Sequence, residues 1–339
     1  NLWMPPLYAY YIYFFTFFEL EHQNYILLIL SSQVLLSSIS VGVFYKINKL
    51  FFSNRISLYS SLLFSLFPLH MYASGQISSV SLHIFLAILF YYYFFQIVNK
   101  GNFPSIFLFS FIVGLLILIR REFIGIFVLS SFYLFIFFRI SIKKILLIAL
   151  ITLITTSPYL IRNFLIFEKV TIQAGFGFNV WKSNNPNSKV EGSTLIDDNL
   201  QKQIDEIPKD KFYRINEDKI FLGQAIEYIK KEPKRYLILY FKKVVSFLFI
   251  NIDSSQPLYY NPLHYLPVLL LGLTSLIGII LSDKKSYQLN YLILIFFFYI
   301  IIFSAFAILP RYKLYIIPLQ IIFTGVFLDY IKNKFVKRK

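Results

Sequence analysis

Long uninterrupted apolar runs constrain this chain more than any other feature of the sequence. Residues 25–45, 77–98, 263–281 and 288–308 each approach the roughly 20 residues that an α-helix needs to cross a bilayer. Hydrophobic residues make up 57% of the chain and aromatic residues 20%, which leaves too little charge for the surface of a water-soluble domain. The sequence therefore predicts an all-α polytopic membrane protein.

The pattern of apolar and polar stretches divides the chain into six segments. Residues 24–161 contain about six predicted transmembrane helices, and residues 263–330 contain about three more. The other expected segments are an outer juxtamembrane segment at 1–23, an extracytoplasmic polar domain at 162–235, an interfacial amphipathic helix and loop at 236–262, and a basic cytoplasmic tail at 331–339.

Two lysines decide the predicted topology. Residues 236–252 are apolar enough to count as a span, but Lys242 and Lys243 stand at their centre. A lysine at mid-bilayer costs roughly 3 kcal/mol, so we expect this segment to lie in the membrane interface instead. The polar domain then faces outward, and the basic loops and tail face the cytoplasm, as the positive-inside rule requires. These cytoplasmic residues include Lys46, Lys49, Arg55, Lys100, Lys284, Lys285, Lys337, Arg338 and Lys339.

The charge of the chain does not indicate a nucleic-acid partner. The net charge is +16, but 13 of the 33 basic residues lie in the polar domain beside 11 of the 17 acids. Most of the excess therefore lies in short loops and the tail, where membrane orientation explains it. The absence of cysteine excludes disulfides, thiolate metal sites and a cysteine nucleophile.

Orientation leaves one group of cations unexplained. On this topology six basic residues outside the polar domain lie at the outer surface: Arg120, Arg121, Lys242, Lys243, Arg311 and Lys313. Guanidinium groups pair bidentately with phosphate oxygens, so Arg120, Arg121 and Arg311 could hold a phosphate together with Arg162. Arg311 follows a helix break at Pro310, a common way to build a pocket at a membrane edge. The alternative is that each cation snorkels to lipid headgroups.

Amides and an indole gather where the polar domain begins. The residues are Asn163, Asn179, Trp181, Asn184 and Asn185. An indole can stack on a sugar ring while amides bind its hydroxyls, so this cluster could recognise a carbohydrate. An Asx-rich turn ahead of Pro186 is the structural alternative.

At these residues the chain resembles a family of membrane glycosyltransferases. The motifs are, in order, Pro5-Pro6-Leu7-Tyr8, Gly114-Leu115 leading to Arg120, Pro158-Tyr159 with Arg162-Asn163, Asn179-x-Trp181 with Asn184-Asn185-Pro186, Glu232-Pro233 with Tyr236, and Arg311-Tyr312. They resemble bacterial polyprenyl-phosphate-sugar-dependent glycosyltransferases of the GT-C fold, the superfamily of dolichyl-phosphate-mannose protein mannosyltransferases and aminoarabinose transferases.

The resemblance implies a GT-C-like transmembrane helix bundle with a small extracytoplasmic domain, placed in the bacterial cytoplasmic membrane. It implies transfer of a hexose or pentose from a polyprenyl-phosphate carrier to a lipid, glycan or protein acceptor on the outer face, in contact with membrane lipids. The expected substrate-binding residues are Arg120, Arg121, Arg162, Asn163, Asn179, Trp181, Asn184, Asn185, Arg311, Tyr312 and Lys313. No cofactor is assigned, and a divalent-metal requirement stays open.

The chain departs from the family pattern at three places. The family's acidic motif, which supplies the general base, lies upstream of the Pro-Pro-Leu-Tyr segment, so we expect an N-terminally truncated chain and assign no catalytic residue. Val80 stands where many relatives carry an acid, and Glu122 follows Arg121 where relatives often have proline. Either change predicts altered donor choice or lost activity.

Two other functions remain open from the sequence. A transporter or flippase for a lipid-linked sugar would also use outer arginines, although it would more naturally show inverted repeats and broken helices. An O-antigen polymerase or ligase would use diphosphate-linked glycans instead of a monophosphate-linked sugar.

Overall fold

The computed structural model describes residues 2, 4–254, 259–283 and 285–336. These residues form helices and loops, with no strand among them. The predictions made for Asn1, Lys284 and the tail residues 337–339 lie outside the described residues.

Fifteen α-helices and one short 3-10 helix follow one another along the described residues. The first eight are α1 (Pro6–Thr16), α2 (His22–Asn48), α3 (Asn54–Ser65), α4 (Pro68–Ser74), α5 (Ser79–Lys100), α6 (Phe103–Ile119), α7 (Phe123–Ile136) and α8 (Ile142–Phe167). The other seven are α9 (Phe176–Asn184), α10 (Asp198–Asp205), α11 (Tyr213–Lys231), α12 (Pro233–Leu248), α13 (Pro262–Ile280), α14 (Tyr287–Phe303) and α15 (Ile317–Val336). The 3-10 helix, Pro310–Tyr315, lies between α14 and α15.

Several of these helices can cross a membrane. Among the described residues α2, α5, α8 and α13 are long and apolar enough, and the bent pair α3–α4 makes a fifth if it counts as one span. Helices α6, α7 and α14 are apolar but shorter, at 17, 14 and 17 residues. The chain is therefore a multi-pass membrane protein, as its apolar runs predict.

Prolines set helix boundaries at two places, one of which is the break that the sequence predicts at Pro310. A further predicted helix, over residues 56–74 of the first transmembrane segment, divides into α3 and α4, which are bent by 54°. Pro68 begins α4, and the preceding Phe67 is held in the extended region at φ −65° and ψ 123°. The last helix begins at Ile317 instead of residue 312, because Pro310 starts the 3-10 turn ahead of it.

Helix α8 continues past the point where the sequence predicts its end. The prediction ends this helix at Ile161, but α8 runs on to Phe167 and stops where Glu168 takes the left-handed conformation at φ 54°. Arg162 and Asn163 therefore lie on the last turns of α8.

Close helix contacts hold the membrane bundle together. A Cβ added at Gly278 of α13 would lie 1.8 Å from the carbonyl oxygen of Phe323 on α15, and one at Gly114 of α6 would lie 2.6 Å from Thr155 on α8. Small residues of this kind let helix backbones approach closely inside a bilayer. One large buried cluster of aromatic and aliphatic side chains joins these helices.

The polar segment between α8 and α12 has its own small core. Trp181 of α9 packs against Phe221 of α11, with ring centroids 4.7 Å apart, and Leu200 and Ile204 of α10 join them. A Cβ at Gly177 would lie 1.9 Å from the carbonyl oxygen of Asp218, so α9 and α11 are in direct backbone contact. This core fixes α9 in place beside the membrane bundle.

Candidate functional site

A cavity of about 350 Å³ lies where the start of α7, helix α9 and the segment joining α14 to α15 meet. One side is polar and the other is aromatic and aliphatic. Its polar lining residues are Arg120, Arg121, Glu122, Asn179, Lys182, Ser183 and Tyr312. Its apolar lining includes Phe176, Phe298, Ile302, Phe303, Phe306 and Leu309. We call this the arginine cavity.

Arg120 is held by two tyrosines. It follows the last residue of α6 with extended backbone angles, φ −153° and ψ 105°. Its guanidinium donates a hydrogen bond to the hydroxyl of Tyr315 and lies 5.0 Å from the centre of that ring and 5.5 Å from the ring of Tyr312. An arginine stacked on aromatic rings keeps its charge and a fixed orientation in a partly dry site.

Arg121 is held by a backbone oxygen and an aromatic ring. Its guanidinium donates to the backbone oxygen of Gln173 at 3.2 Å and lies 5.2 Å from the ring centre of Phe176. Neither this contact nor those of Arg120 uses a carboxylate, so no acid neutralises the two arginines through an ion pair among the described residues. The cavity therefore carries two fixed guanidinium charges.

Helix α9 supplies the facing wall of the cavity. Ser183 accepts a hydrogen bond from the backbone N–H of Ala307 at 2.6 Å, and Asn184 donates from Nδ2 to the backbone oxygen of Ala305 at 3.2 Å. These bonds tie the end of α9 to the loop after α14. Asn179 and Lys182, on the same face of α9, are thereby placed at the cavity.

A buried lysine supports this wall from behind. Lys243 of α12 is 0% exposed, and its Nζ donates to the backbone oxygen of Ser183 at 2.8 Å and to Oδ1 of Asn184 at 3.2 Å. Burial lowers the pKa of the Lys243 ammonium to about 7. The sequence places this lysine among the outer cations, and the structure shows that its side chain is buried in the protein, where two oxygens satisfy it.

The structure brings four of the sequence-predicted residues to the arginine cavity: Arg120, Arg121, Asn179 and Tyr312. Arg162 instead donates to Oδ1 of Asn163 at 2.7 Å, and Asn163 donates to the backbone oxygen of Thr171 at 2.6 Å. These two side chains form hydrogen bonds at the end of α8 and do not line the cavity.

Two residues of the predicted carbohydrate cluster, Trp181 and Asn185, are engaged within the protein. Trp181 is 1% exposed in the core of the polar segment. Asn185 donates to the backbone oxygen of Ser193 at 2.8 Å and accepts from the N–H of Asn187 at 2.9 Å. Asn185 thus forms an Asx turn around Pro186, close to the structural alternative for this stretch.

Arg311 and Lys313 do not line the arginine cavity, although the Arg311 guanidinium lies 5.4 Å from the ring centre of Tyr312, which does. Arg311 lines a second cavity of about 770 Å³ beside α4 and the start of α13, whose walls are mostly apolar. The two cavities share Leu309 in their walls. Lys313 is 2% exposed and donates to the backbone oxygen of Phe249 and to the hydroxyl of Tyr259. It is therefore an internal hydrogen-bond donor.

A third cavity has three basic residues in its lining, and two of them are paired with acids. It has a volume of about 480 Å³ and lies beside the start of α11. Lys211 pairs with Glu168 at 2.8 Å, and Arg214 pairs with Glu217 at 2.7 Å. Among the described residues, no group of three or more His, Asp or Glu side chains could hold a metal ion.

Glu122, Lys182 and Ser183 line the cavity but were not predicted from the sequence. Lys182 could have been found, because it follows Asn179 by three residues and therefore shares its helix face. In the sequence Glu122 stands out only because it follows Arg121 where members of the resembled family often have proline.

Comparisons with known proteins support the resemblance predicted from the sequence. Residues 4–161 match the family model described as "Dolichyl-phosphate-mannose-protein mannosyltransferase". This range contains Arg120, Arg121 and Glu122, whereas α9 and the rest of the cavity lie beyond it. No curated protein matches the chain.

One solved structure has a similar fold. It is the archaeal oligosaccharyltransferase AglB from Archaeoglobus fulgidus, in complex with an inhibitory peptide and a dolichol-phosphate, with a TM-score of 0.54 and 12% sequence identity. The match covers 98% of this chain but 42% of that one, so this chain spans less than half the length of its structural neighbour. The predicted fold class, an all-α membrane protein with a GT-C-like helix bundle, is confirmed.

Proposed function

We propose that this chain transfers a sugar from a polyprenyl-phosphate carrier to an acceptor, and that Arg120 and Arg121 hold the phosphate in the arginine cavity. The observation that carries the proposal is the pair of guanidinium groups in one cavity, both oriented by uncharged partners and neither paired with an acid. A phosphate is the ligand that this arrangement suits best.

The chemistry of the transfer needs such a pair. When the bond between the anomeric carbon and the phosphate oxygen breaks, negative charge develops on the departing phosphate. Fixed cations in a partly dry cavity stabilise that charge without having to reorganise. Lys182 adds a third cation, and Asn179 offers an amide to the sugar or the acceptor.

The comparisons favour a lipid-phosphate donor. The matching family model describes mannosyltransferases that use a dolichyl-phosphate sugar, and the structural neighbour was solved with a dolichol-phosphate. Both statements concern those proteins. For this chain they make a lipid-phosphate sugar the first donor class to test.

A donor assay tests the proposal. The full-length protein in liposomes is given lipid, glycan and peptide acceptors to receive the sugar. The donors are mannosyl, glucosyl, galactosyl and arabinosyl, each on polyprenyl phosphate and on polyprenyl diphosphate. We expect consumption of at least one monophosphate donor, with release of bare polyprenyl phosphate, and no consumption of its diphosphate counterpart.

The other outcomes of this assay separate the alternatives. Consumption of the diphosphate donors alone would contradict the proposal in favour of a polymerase or ligase. Movement of an intact donor across the bilayer without consumption would contradict it in favour of a flippase.

We further propose that the arginine cavity opens toward the outer face of a bacterial cytoplasmic membrane. The basic residues of the short loops support this orientation through the positive-inside rule. A topology reporter inserted after Leu195, an exposed residue between α9 and α10, should read as external, and one fused after Lys339 should read as cytoplasmic. A cytoplasmic reading after Leu195 would contradict the orientation.

A further inference from the structure

Glu122 is a carboxylate in a cavity otherwise suited to anions. It stands at the start of α7, directly after the two arginines, and lines the arginine cavity with them. Its side chain makes no hydrogen bond or ion pair within the part of the chain that the structure describes. The neighbouring guanidinium groups donate to Tyr315 and to Gln173. Glu122 therefore acts on Arg120 only through its charge, and its oxygens can still accept hydrogen bonds from a ligand.

A carboxylate at this position opposes the binding of a phosphate. Two negative charges in a partly dry cavity repel each other more strongly than they would in water. An ionised carboxylate can only accept hydrogen bonds, and a phosphate without a bound proton has no hydrogen bond to donate to it. The ligand that gains from Glu122 must therefore carry hydrogen-bond donors close to its phosphate.

A glycosylated phosphate meets this requirement. The anomeric carbon is bonded to the phosphate oxygen, so a phosphate held by Arg120 and Arg121 brings the ring hydroxyls near their sequence neighbour Glu122. Hydroxyls that donate to an ionised carboxylate make stronger hydrogen bonds than neutral pairs do. The bare carrier has no such hydroxyls.

We propose that Glu122 accepts hydrogen bonds from hydroxyls of the donor sugar and makes the cavity prefer the glycosylated carrier over the bare carrier. This inference rests on the proposed function. It also gives the carboxylate a part in turnover: once the sugar has left, the carrier phosphate gains charge and loses the hydroxyls, so Glu122 repels the product.

The ordinary alternative is that Glu122 only offsets the charge of Arg120 and the positive end of helix α7. In that role Glu122 would change the affinity for every phosphate ligand by the same factor. Removing the charge would then change the affinity for the bare carrier and the glycosylated carrier by the same factor and in the same direction.

A comparison of two ligands decides between these roles. The probes are bare polyprenyl phosphate and the sugar donor that the wild-type protein consumes fastest in the panel above, with both dissociation constants measured for the wild type and for Glu122→Gln. We expect the variant to bind the bare carrier more tightly and the donor more weakly, so that the preference for the donor falls by about 10- to 100-fold. Glu227→Gln, on an exposed position of α11, is the matched control and should change neither constant.

Equal changes for both ligands, or no change in either, would overturn the inference. If Glu122→Gln fails to fold, wild-type protein is tested with donors that lack one hydroxyl each. At least one should bind about 10- to 100-fold more weakly than the parent donor, and equal binding of all of them would also overturn the inference. A wild-type protein that binds neither probe would contradict the proposed function itself.

Discussion

Replacing Arg120 with alanine is expected to lower the rate of sugar transfer by about 100- to 1000-fold, the loss typical of removing one donor that stabilises developing charge. The side chain is held by Tyr312 and Tyr315, so its guanidinium is already placed before the ligand arrives. Because charge on the phosphate grows as the bond to the sugar breaks, most of the loss should appear in kcat. The measurement is steady-state turnover of the best monophosphate donor.

Two further variants are the controls for Arg120→Ala. Arg120→Lys keeps the positive charge but loses the planar fork and the stacking on the tyrosines, so it should recover only part of the rate. Arg55→Ala removes an exposed arginine at the start of α3, far along the chain from the cavity, and should leave turnover unchanged. Normal turnover by Arg120→Ala would remove the arginine cavity from the mechanism.

Replacing Gly177 with alanine is expected to destabilise the polar segment by about 3 kcal/mol or more, because the new methyl group cannot be accommodated without moving backbone. Its Cβ would lie 1.9 Å from the carbonyl oxygen of Asp218 and 2.9 Å from Cβ of Leu222. Asp218 also accepts a hydrogen bond from the N–H of Phe178 at 3.0 Å, which any separation of the two helices would break. The measurement is thermal unfolding in detergent, combined with limited proteolysis of the loops on either side of α10.

A second glycine on the same helix pair is the matched control. Gly223 of α11 is exposed, and a Cβ there would have nothing within 4 Å. Gly223→Ala should therefore be neutral or stabilising by about 0.5–1 kcal/mol, since alanine favours the helix. Equal behaviour of the two variants would contradict the direct backbone contact between α9 and α11. Because α9 carries Asn179 and Lys182, Gly177→Ala should also impair transfer.

The helical membrane fold could be predicted from the sequence because its signal is local. A run of about 20 apolar residues has few structural solutions in a bilayer, since every backbone polar group must be satisfied within the segment. The breaks were harder to place. Pro68 ends one helix, whereas Pro158 lies inside α8 without ending it, and the sequence around each proline does not distinguish the two outcomes.

The site was predictable only where its residues are neighbours in the sequence. Arg120 and Arg121 stand out as adjacent cations that orientation does not explain. The surroundings of Trp181 could not be predicted from the sequence, because an indole beside amides is typical both of a sugar site and of a small core, and its packing partner Phe221 lies on another helix.

Contacts between distant parts of the chain account for the other differences. The oxygens that satisfy Lys243 belong to residues about 60 positions earlier, and the sequence around Lys243 does not predict them. Arg311 and Tyr312 are adjacent in sequence, but the 3-10 turn sends them to different cavities.

Lys243 of α12 has a consequence at two stages in the life of the protein, and it shares the first stage with Lys242. While the chain is being synthesised, neither has its final neighbours, and together they add about 5–7 kcal/mol to the cost of inserting this apolar stretch across the bilayer. We therefore expect the insertion machinery to leave the segment out of the membrane. In the folded protein Lys243 is an internal hydrogen-bond donor to α9, so on this expectation one side chain first directs insertion and later supports the wall of the cavity.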